Sequence, residues 1–247
     1  MTVLVEVDRV SKSFGGVVAN HDISISVPAG EITGLIGPNG SGKTTLFNSI
    51  VGFHPIDSGS IRFKGREISK LRVQQIARLG MLRTFQQTRI YAKMNCINNM
   101  LISVPHRNAA LVDMFRPYTK EHLERAEHLL EFVGLYQKRK LPSGDLSFGQ
   151  QKLLEFAMAL MNEPELLLLD EPTAGINPTL INGLIDRMKR ANTEFGITLF
   201  VIEHNMRVVM NLADSIYCLA HGELLAHGTP DQIQTDQRVI DAYLGAH

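Results

Sequence analysis

The sequence has no tryptophan and only two cysteines, Cys96 and Cys218, which lie far apart and form no C-x-x-C pair. That argues against a disulfide framework or a thiolate metal site. Both thiols are expected to act as small buried hydrophobes in a reducing compartment. Net charge is missing too, because 25 Lys and Arg balance 25 Asp and Glu. Without a basic stripe there is no footprint for nucleic acid, and no nucleic-acid partner is expected. No window approaches the roughly 18 uninterrupted apolar residues of a membrane-spanning helix. The opening MTVLVEVDRV carries acids early and alternates apolar with polar. A secretory signal would open basic and continue apolar. The expected location is therefore cytoplasmic, with any membrane role reached through a partner. There is also no internal repeat and no low-complexity tract.

What is present suits one large α/β domain or a core with a subdomain: 247 residues, 44% hydrophobic and 20% charged. Residues 3–7 and 23–27 alternate as half-buried strands do, with a turn signal at Ser13-Phe14-Gly15-Gly16 between them. Ile32–Ile36 is a short apolar run that leads directly into a Gly-rich loop and a helix from about Lys43. A further strand is expected at 61–63 and a helix at 71–79. From about 88 to 160 helical signals dominate. Leu123, Ala126, Leu129, Leu130 and Val133 recur at helical spacing, and 150–161 reads as a second helix. After Pro164 the alternation resumes. Glu165–Leu169 reads as a strand buried on both faces, followed by a helix at 178–192, a strand at Ile197–Ile202, a helix near 205–212 and short strands near 215–219 and 223–227. Strands alternating with helices imply a mostly parallel sheet, with ligands at the carboxyl ends of its strands.

Two segments carry recognisable chemistry. Gly37-Pro38-Asn39-Gly40-Ser41-Gly42-Lys43-Thr44 is a complete G-x-x-x-x-G-K-T, continued by Thr45. Its glycines let successive N–H groups face phosphate oxygens, and the following helix presents its positive end to the same anion. Lys43 offers a point charge to the β- and γ-phosphates, and the Thr44 hydroxyl is a ligand for Mg²⁺. The second is Leu166-Leu167-Leu168-Leu169-Asp170-Glu171, an apolar strand with two acids at its end. Asp170 is suited to Mg²⁺, and Glu171 to polarising an attacking water. An apolar run ending in acids is common by itself, but beside the Gly37–Thr44 loop it indicates a P-loop NTPase.

Leu146-Ser147-Phe148-Gly149-Gln150-Gln151 resembles the signature segment of ABC-type ATPases. Without that context, Ser147 would read as a helix N-cap. Gln86, in Arg83-Thr84-Phe85-Gln86, resembles the family's glutamine loop, with Gln87 the neighbouring alternative. His204 resembles the switch histidine, Phe14 the aromatic that stacks on adenine, and Ala174-Gly175-Ile176-Asn177 the D-loop. These matches run in family order from Phe14 to His204.

The resemblance implies a RecA-like P-loop core with a mostly parallel sheet, an N-terminal antiparallel β subdomain and an inserted α-helical subdomain. The expected core is 1–87 and 161–247, with 88–160 as the helical insert. It implies Lys43, Gln86, Glu171 and His204 as catalytic residues, and Thr44, Gln86 and Asp170 at Mg²⁺. It also implies that ATP is bound by Phe14, Gly37, Asn39, Gly40, Ser41, Gly42, Lys43, Thr44 and Thr45 and, from the other protomer, by Ser147, Gly149 and Gln150. Phe148, Asn177 and Asn205 depart from the commonest family residues (Gly, Asp and Asp), and none of the three removes an acid, base or metal ligand.

Finer features resemble the ATP-binding subunits of branched-chain and other hydrophobic amino-acid importers. They are Arg83–Gln86, the Phe-Gly-Gln-Gln of the signature, Ala174–Pro178, Ile202-Glu203-His204-Asn205-Met206, His227–Pro230 and Ala242-Tyr243-Leu244-Gly245. Subunits for urea uptake and lipopolysaccharide export share several of them. An importer implies a second ATPase subunit, preferably different though a homodimer is allowed. It also implies integral permeases, an external solute-binding protein, and work at the cytoplasmic membrane face. A soluble ABC ATPase acting on ribosomes or DNA is the distant alternative. The single cassette and zero net charge disfavour it.

Overall fold

The computed structural model describes residues 2–84, 90–104 and 118–244, arranged as two compact units. The first comprises Met1–Arg83, Glu165–Thr173 and Met188–His247; the second comprises Thr84–Pro164 and Ala174–Arg187.

The first unit holds both sheets. Strands β1 (Val3–Phe14), β2 (Val17–Pro28), β4 (Ser58–Phe63) and β5 (Arg66–Glu67) form an antiparallel sheet in the order β2-β1-β4-β5. The alternation at 3–7 and 23–27 marks only parts of β1 and β2, which run to 12 residues each. Their ladder shifts register between Val7 and Val10, where Arg9 has φ 47°, and again between Val10 and Lys12, opposite which Asp22 has φ 51°. Such bulges break the period-2 pattern and bend the ribbon.

The second sheet is built from β3 (Ile32–Ile36), β6 (Met81–Arg83), β7 (Leu166–Asp170), β8 (Thr198–Ile202), β9 (Ser215–Ala220) and β10 (Glu223–Gly228). Its order is β10-β9-β3-β8-β7-β6, parallel except for the antiparallel edge β10. All residues of β3, β7 and β8 are buried, as strands covered on both faces must be. Helices α1 (Lys43–Ile50) and α2 (Val73–Arg78) belong to this unit, as do α7 (Met206–Leu212), α8 (Pro230–Thr235) and α9 (Gln237–Leu244). Leu46, Phe47 and Ile50 of α1 join Val5, Ile25, Phe63, Leu168 and Phe200 in one core that both sheets share. On the opposite face α7 packs so closely that a Cβ on Gly34 would lie 2.6 Å from Val209 Cγ2. Mid-strand glycine is the residue that permits this approach.

The second unit contains α3 (Cys96–Ile102), α4 (Lys120–Phe132) and α5 (Phe148–Leu160). Ala126, Leu129, Leu130 and Val133 are buried as their spacing predicts, but Leu123, in the first turn, is 41% exposed. Asn99 on α3 is buried and donates to the carbonyls of Tyr91, Met94 and Asn95 and to Ser143 Oγ, which fastens the chain on either side of α4. Helix α6 (Pro178–Phe195) begins in the second unit and ends in the first. Asn177 Oδ1 accepts from the Thr179 N–H and hydroxyl at 3.1 and 3.0 Å. The amide thereby does the capping work an aspartate would do there. Both cysteines are buried and free.

Candidate nucleotide site

The Gly37–Thr44 segment leaves β3 and enters α1 through three glycines with positive φ: 148° at Gly37, 79° at Gly40 and 94° at Gly42. A Cβ on Gly42 would strike the Ala19 carbonyl oxygen, whereas one on Gly40 would meet nothing within 4 Å. Gly42 therefore answers to packing and Gly40 to backbone conformation. Gly42 is also the N-cap of α1, and it provides no side-chain cap. The first turn of α1 contains no acidic residue either. Its free N–H groups and the positive end of the helix dipole make an anion site. Asn39 and Gly40 are exposed, Thr44 and Thr45 half-buried, and Ser41 and Lys43 buried.

Lys43 Nζ donates to the carbonyls of Gly37 and Pro38 at 2.8 and 2.9 Å, with Ser41 Oγ at 3.4 Å. The ammonium is thus held by the loop it serves. Burial lowers its pKa from the ordinary lysine value, and the nearby Glu171, Cys218 and Asp170 oppose that shift. A phosphate would add a full counter-charge to these weak carbonyl acceptors.

Strand β7 delivers the two acids. Asp170 is buried; its Oδ2 accepts from Arg83 Nη2 at 2.5 Å, while its Oδ1 has no hydrogen-bond partner among the described residues. Arg83 also reaches Asn48 Oδ1 on α1. The guanidinium occupies one carboxylate oxygen and leaves the other free, which suits a hard cation that shares its shell with water and phosphate. No cluster of three His, Cys, Asp or Glu occurs among the described residues.

Glu171 has φ 49°, a left-handed conformation unusual for a side-chain-bearing residue, and its N–H bonds the Ile202 carbonyl at 3.0 Å. Strain of this kind collects at sites where a side chain must be aimed. His204, just past β8 and exposed, brings Nδ1 to 3.7 Å from Glu171 Oε1. That is ion-pair reach but longer than a hydrogen bond. Glu203, next to His204 in the chain, is fully buried. Its Oε1 accepts from the Thr173 N–H at 3.0 Å and from the Thr173 hydroxyl at 2.6 Å, whereas Oε2 has no hydrogen-bond partner among the described residues. Burial pushes this carboxyl above the usual carboxylate range, against the pull of the Thr173 hydrogen bonds.

Phe14 ends β1, 43% exposed, packed edge-on against His54 at 5.1 Å with Lys12 Nζ 5.1 Å from its ring centre. In the second unit Ser147 caps α5. Its hydroxyl accepts from the Gln150 N–H at 3.4 Å, and Gln150 Oε1 accepts from the Ser147 N–H at 3.2 Å and from Lys138 Nζ at 3.0 Å. Gly149 is buried, and a Cβ there would lie 2.8 Å from Leu180 Cδ1. Phe148 lies against Gly175 instead. A Cβ on Gly175 (φ 74°) would sit 3.0 Å from its ring, so the larger signature residue is matched by a bare backbone in the D-loop segment. Gln86 and Gln87 lie outside the described residues.

The structure therefore brings Lys43, Asp170, Glu171 and His204 together in one unit, with Ser147, Gly149 and Gln150 in the other. Sequence reading alone gave no role to Arg83, Glu203 or Tyr243. Each was legible only as part of a longer resembling segment, because its partner is distant in the chain.

The ABC transporter family model matches residues 20–174, and a model for the branched-chain amino acid ATP-binding cassette transporter matches residues 223–247. The chain is 39% identical over 250 residues to the high-affinity branched-chain amino acid transport ATP-binding protein BraF of Pseudomonas aeruginosa, with 98% of each chain covered. It is 37% identical to the Escherichia coli K12 protein LivG, described in the same words, again with 98% of each covered. The ADP conformation of MJ1267, an ATP-binding cassette of an ABC transporter, superimposes with a TM-score of 0.89 at 33% identity. That alignment covers 99% of this chain and 100% of that one.

Proposed function

The chain belongs to the ATP-binding subunits of ABC transporters, and from that premise we propose that it hydrolyses ATP to energise uptake of branched-chain amino acids through partner permeases. The observation that carries the substrate class is the match of residues 223–247 to the branched-chain cassette model, beyond the segment that all ABC cassettes share.

The chemistry follows from the residues. The Gly37–Thr45 loop and the N-terminus of α1 bind the phosphates, and Lys43 donates to phosphate oxygens from within the loop. Thr44 and the free Oδ1 of Asp170 are the groups that would hold Mg²⁺, with Gln86 as the ligand expected from the adjoining loop. When bound, the ion neutralises charge on the β- and γ-phosphates. Arg83 keeps the other Asp170 oxygen fixed. Glu171 accepts the proton of the attacking water as the water bonds to the γ-phosphorus and the bridging oxygen departs with ADP. Lys43 and His204 then hold the charge of the released phosphate. Phe14 offers its exposed face to adenine. Ser147, Gly149 and Gln150 cover the ATP of a second ATPase subunit in a head-to-tail pair, preferably a heterodimer. The glutamine loop that Gln86 resembles turns closure of that pair into movement of the permeases.

No helix among the described residues is long and apolar enough to cross a membrane. The chain works as a peripheral subunit at the cytoplasmic face, with solute captured outside by a binding protein.

The test is uptake of labelled leucine, isoleucine, valine and urea in cells whose own copy carries Glu171→Gln. Loss confined to the branched-chain set is expected. Normal amino-acid uptake with lost urea uptake, or with a lipid-export defect, would overturn the substrate class and leave the ATPase chemistry standing.

A further inference from the structure

The C-terminal segment takes no part in the chemistry above, yet it reaches the phosphate loop. Helices α8 and α9 close over Ile36, Val209, Ile216 and Cys218 through Ile233 and Val239, and Tyr243 packs against the same cluster. The Tyr243 hydroxyl accepts a hydrogen bond from the Gly37 N–H at 2.8 Å, across 206 residues of sequence. Gly37 is where β3 stops. Its neighbour Ile36 still pairs with Cys218, but Gly37 turns out of the ladder at φ 148°. It is pressed so tightly on β9 that a Cβ would strike the Leu219 carbonyl oxygen. A buried N–H leaving a strand needs an acceptor, and Tyr243 supplies it.

Gly37 is held from two sides, at its N–H by Tyr243 and at its carbonyl by Lys43. The second hold is shared, because the Lys43 ammonium, with three N–H donors, must also meet a phosphate. Burial pushes the Tyr243 hydroxyl up to about 12, so it stays neutral beside the anion site over the working pH range.

We propose that Tyr243 is a positioning residue for nucleotide binding: its hydroxyl fixes the first glycine of the phosphate loop, so that the C-terminal helix holds the loop in shape when Lys43 also meets phosphate. This rests on the nucleotide-binding reading of the Gly37–Thr45 loop.

Tyr243→Phe keeps the ring and removes the hydroxyl. With Mg-ATP as the probe, Kd and KM should each rise about five-fold, kcat should stay within two-fold, and the melting temperature should change little, because only the loop's pre-organisation is lost. Val239→Ala, in the same cluster but without a bond to the loop, should lower the melting temperature and leave Kd unchanged. Wild-type Kd and KM in Tyr243→Phe overturn the proposal, as does an equal rise in Val239→Ala, which would make the role one of packing alone. Should Tyr243→Phe not fold, exchange of the Gly37 amide in the wild-type chain decides. Protection both without and with ATP supports the hold, and rapid exchange in either state overturns it. Failure of the wild-type chain to bind ATP overturns the nucleotide reading as well, whereas wild-type binding with an unaltered Tyr243→Phe overturns only the proposal.

Discussion

Replacing Arg83 by Met would strand a buried charge. The Asp170 side chain is 0% exposed and that of Arg83 12%, and among the described residues their 2.5 Å contact is the only hydrogen bond to either Asp170 oxygen. Removing one member of a buried pair costs about 3–5 kcal/mol, because the remaining charge keeps its desolvation penalty without its attraction. The loss of the contact with Asn48 on α1 adds to this. For a chain of this size each kcal/mol moves the melting temperature by about 2–4 °C, so Arg83→Met should lower it by roughly 6–20 °C. The assay is thermal unfolding of nucleotide-free protein at pH 7, followed by circular dichroism. Asp170→Asn in the Arg83→Met background removes the stranded charge and should restore much of the loss, with a coupling energy of about 2 kcal/mol or more. A fall of under about 2 °C, or strictly additive effects in the double variant, would refute the view that this pair is a buried, mutually dependent unit.

Glu203 has a folded-state pKa raised by burial, so its contribution to stability is complete below its unfolded pKa and is lost as pH rises through the folded value. Gln at this position keeps an acceptor for Thr173 and cannot ionise. The stability of wild type relative to Glu203→Gln should therefore decline from about pH 4 upward in urea unfolding, and a difference that grows with pH contradicts the assignment. Ser147→Asp preserves an N-cap on α5, so unfolding stability should hold to within about 0.5 kcal/mol. The added charge should still abolish the ATP-dependent dimer seen by size-exclusion chromatography, and an intact dimer would remove Ser147 from the phosphate interface.

Much of this site was legible because its chemistry is local. The Gly37–Thr44 spacing, the apolar run into Asp170 and Glu171, and the strand before His204 are each contained in a short stretch. Strands buried on both faces announce themselves as apolar runs, so β3, β7 and β8 were read within a residue or two. Elements fixed by partners were harder. β6 is three residues long and exists through its pairing with β7. α3 has no clean amphipathic period, since its buried set includes the polar Asn99. α8 did carry a signal, in the Thr229–Gln232 capping box with Pro230 at its start. Long-range polar contacts leave no local pattern. Arg83 meets Asp170 across 87 residues, Glu203 meets Thr173 across 30, and Tyr243 meets Gly37 across 206.

The central claim is that Lys43, Asp170, Glu171 and His204 hydrolyse ATP bound at the Gly37–Thr45 loop. Single-turnover hydrolysis of γ-labelled ATP by wild type and by Glu171→Gln, with equilibrium binding measured on the same samples, tests it most directly. The expected result is an ATP Kd unchanged within two-fold and a hydrolysis rate about 10²–10⁴-fold lower in the variant, because only proton acceptance from water is lost. Hydrolysis at the wild-type rate by Glu171→Gln would contradict the assignment of Glu171 as the base and with it the chemistry of the site.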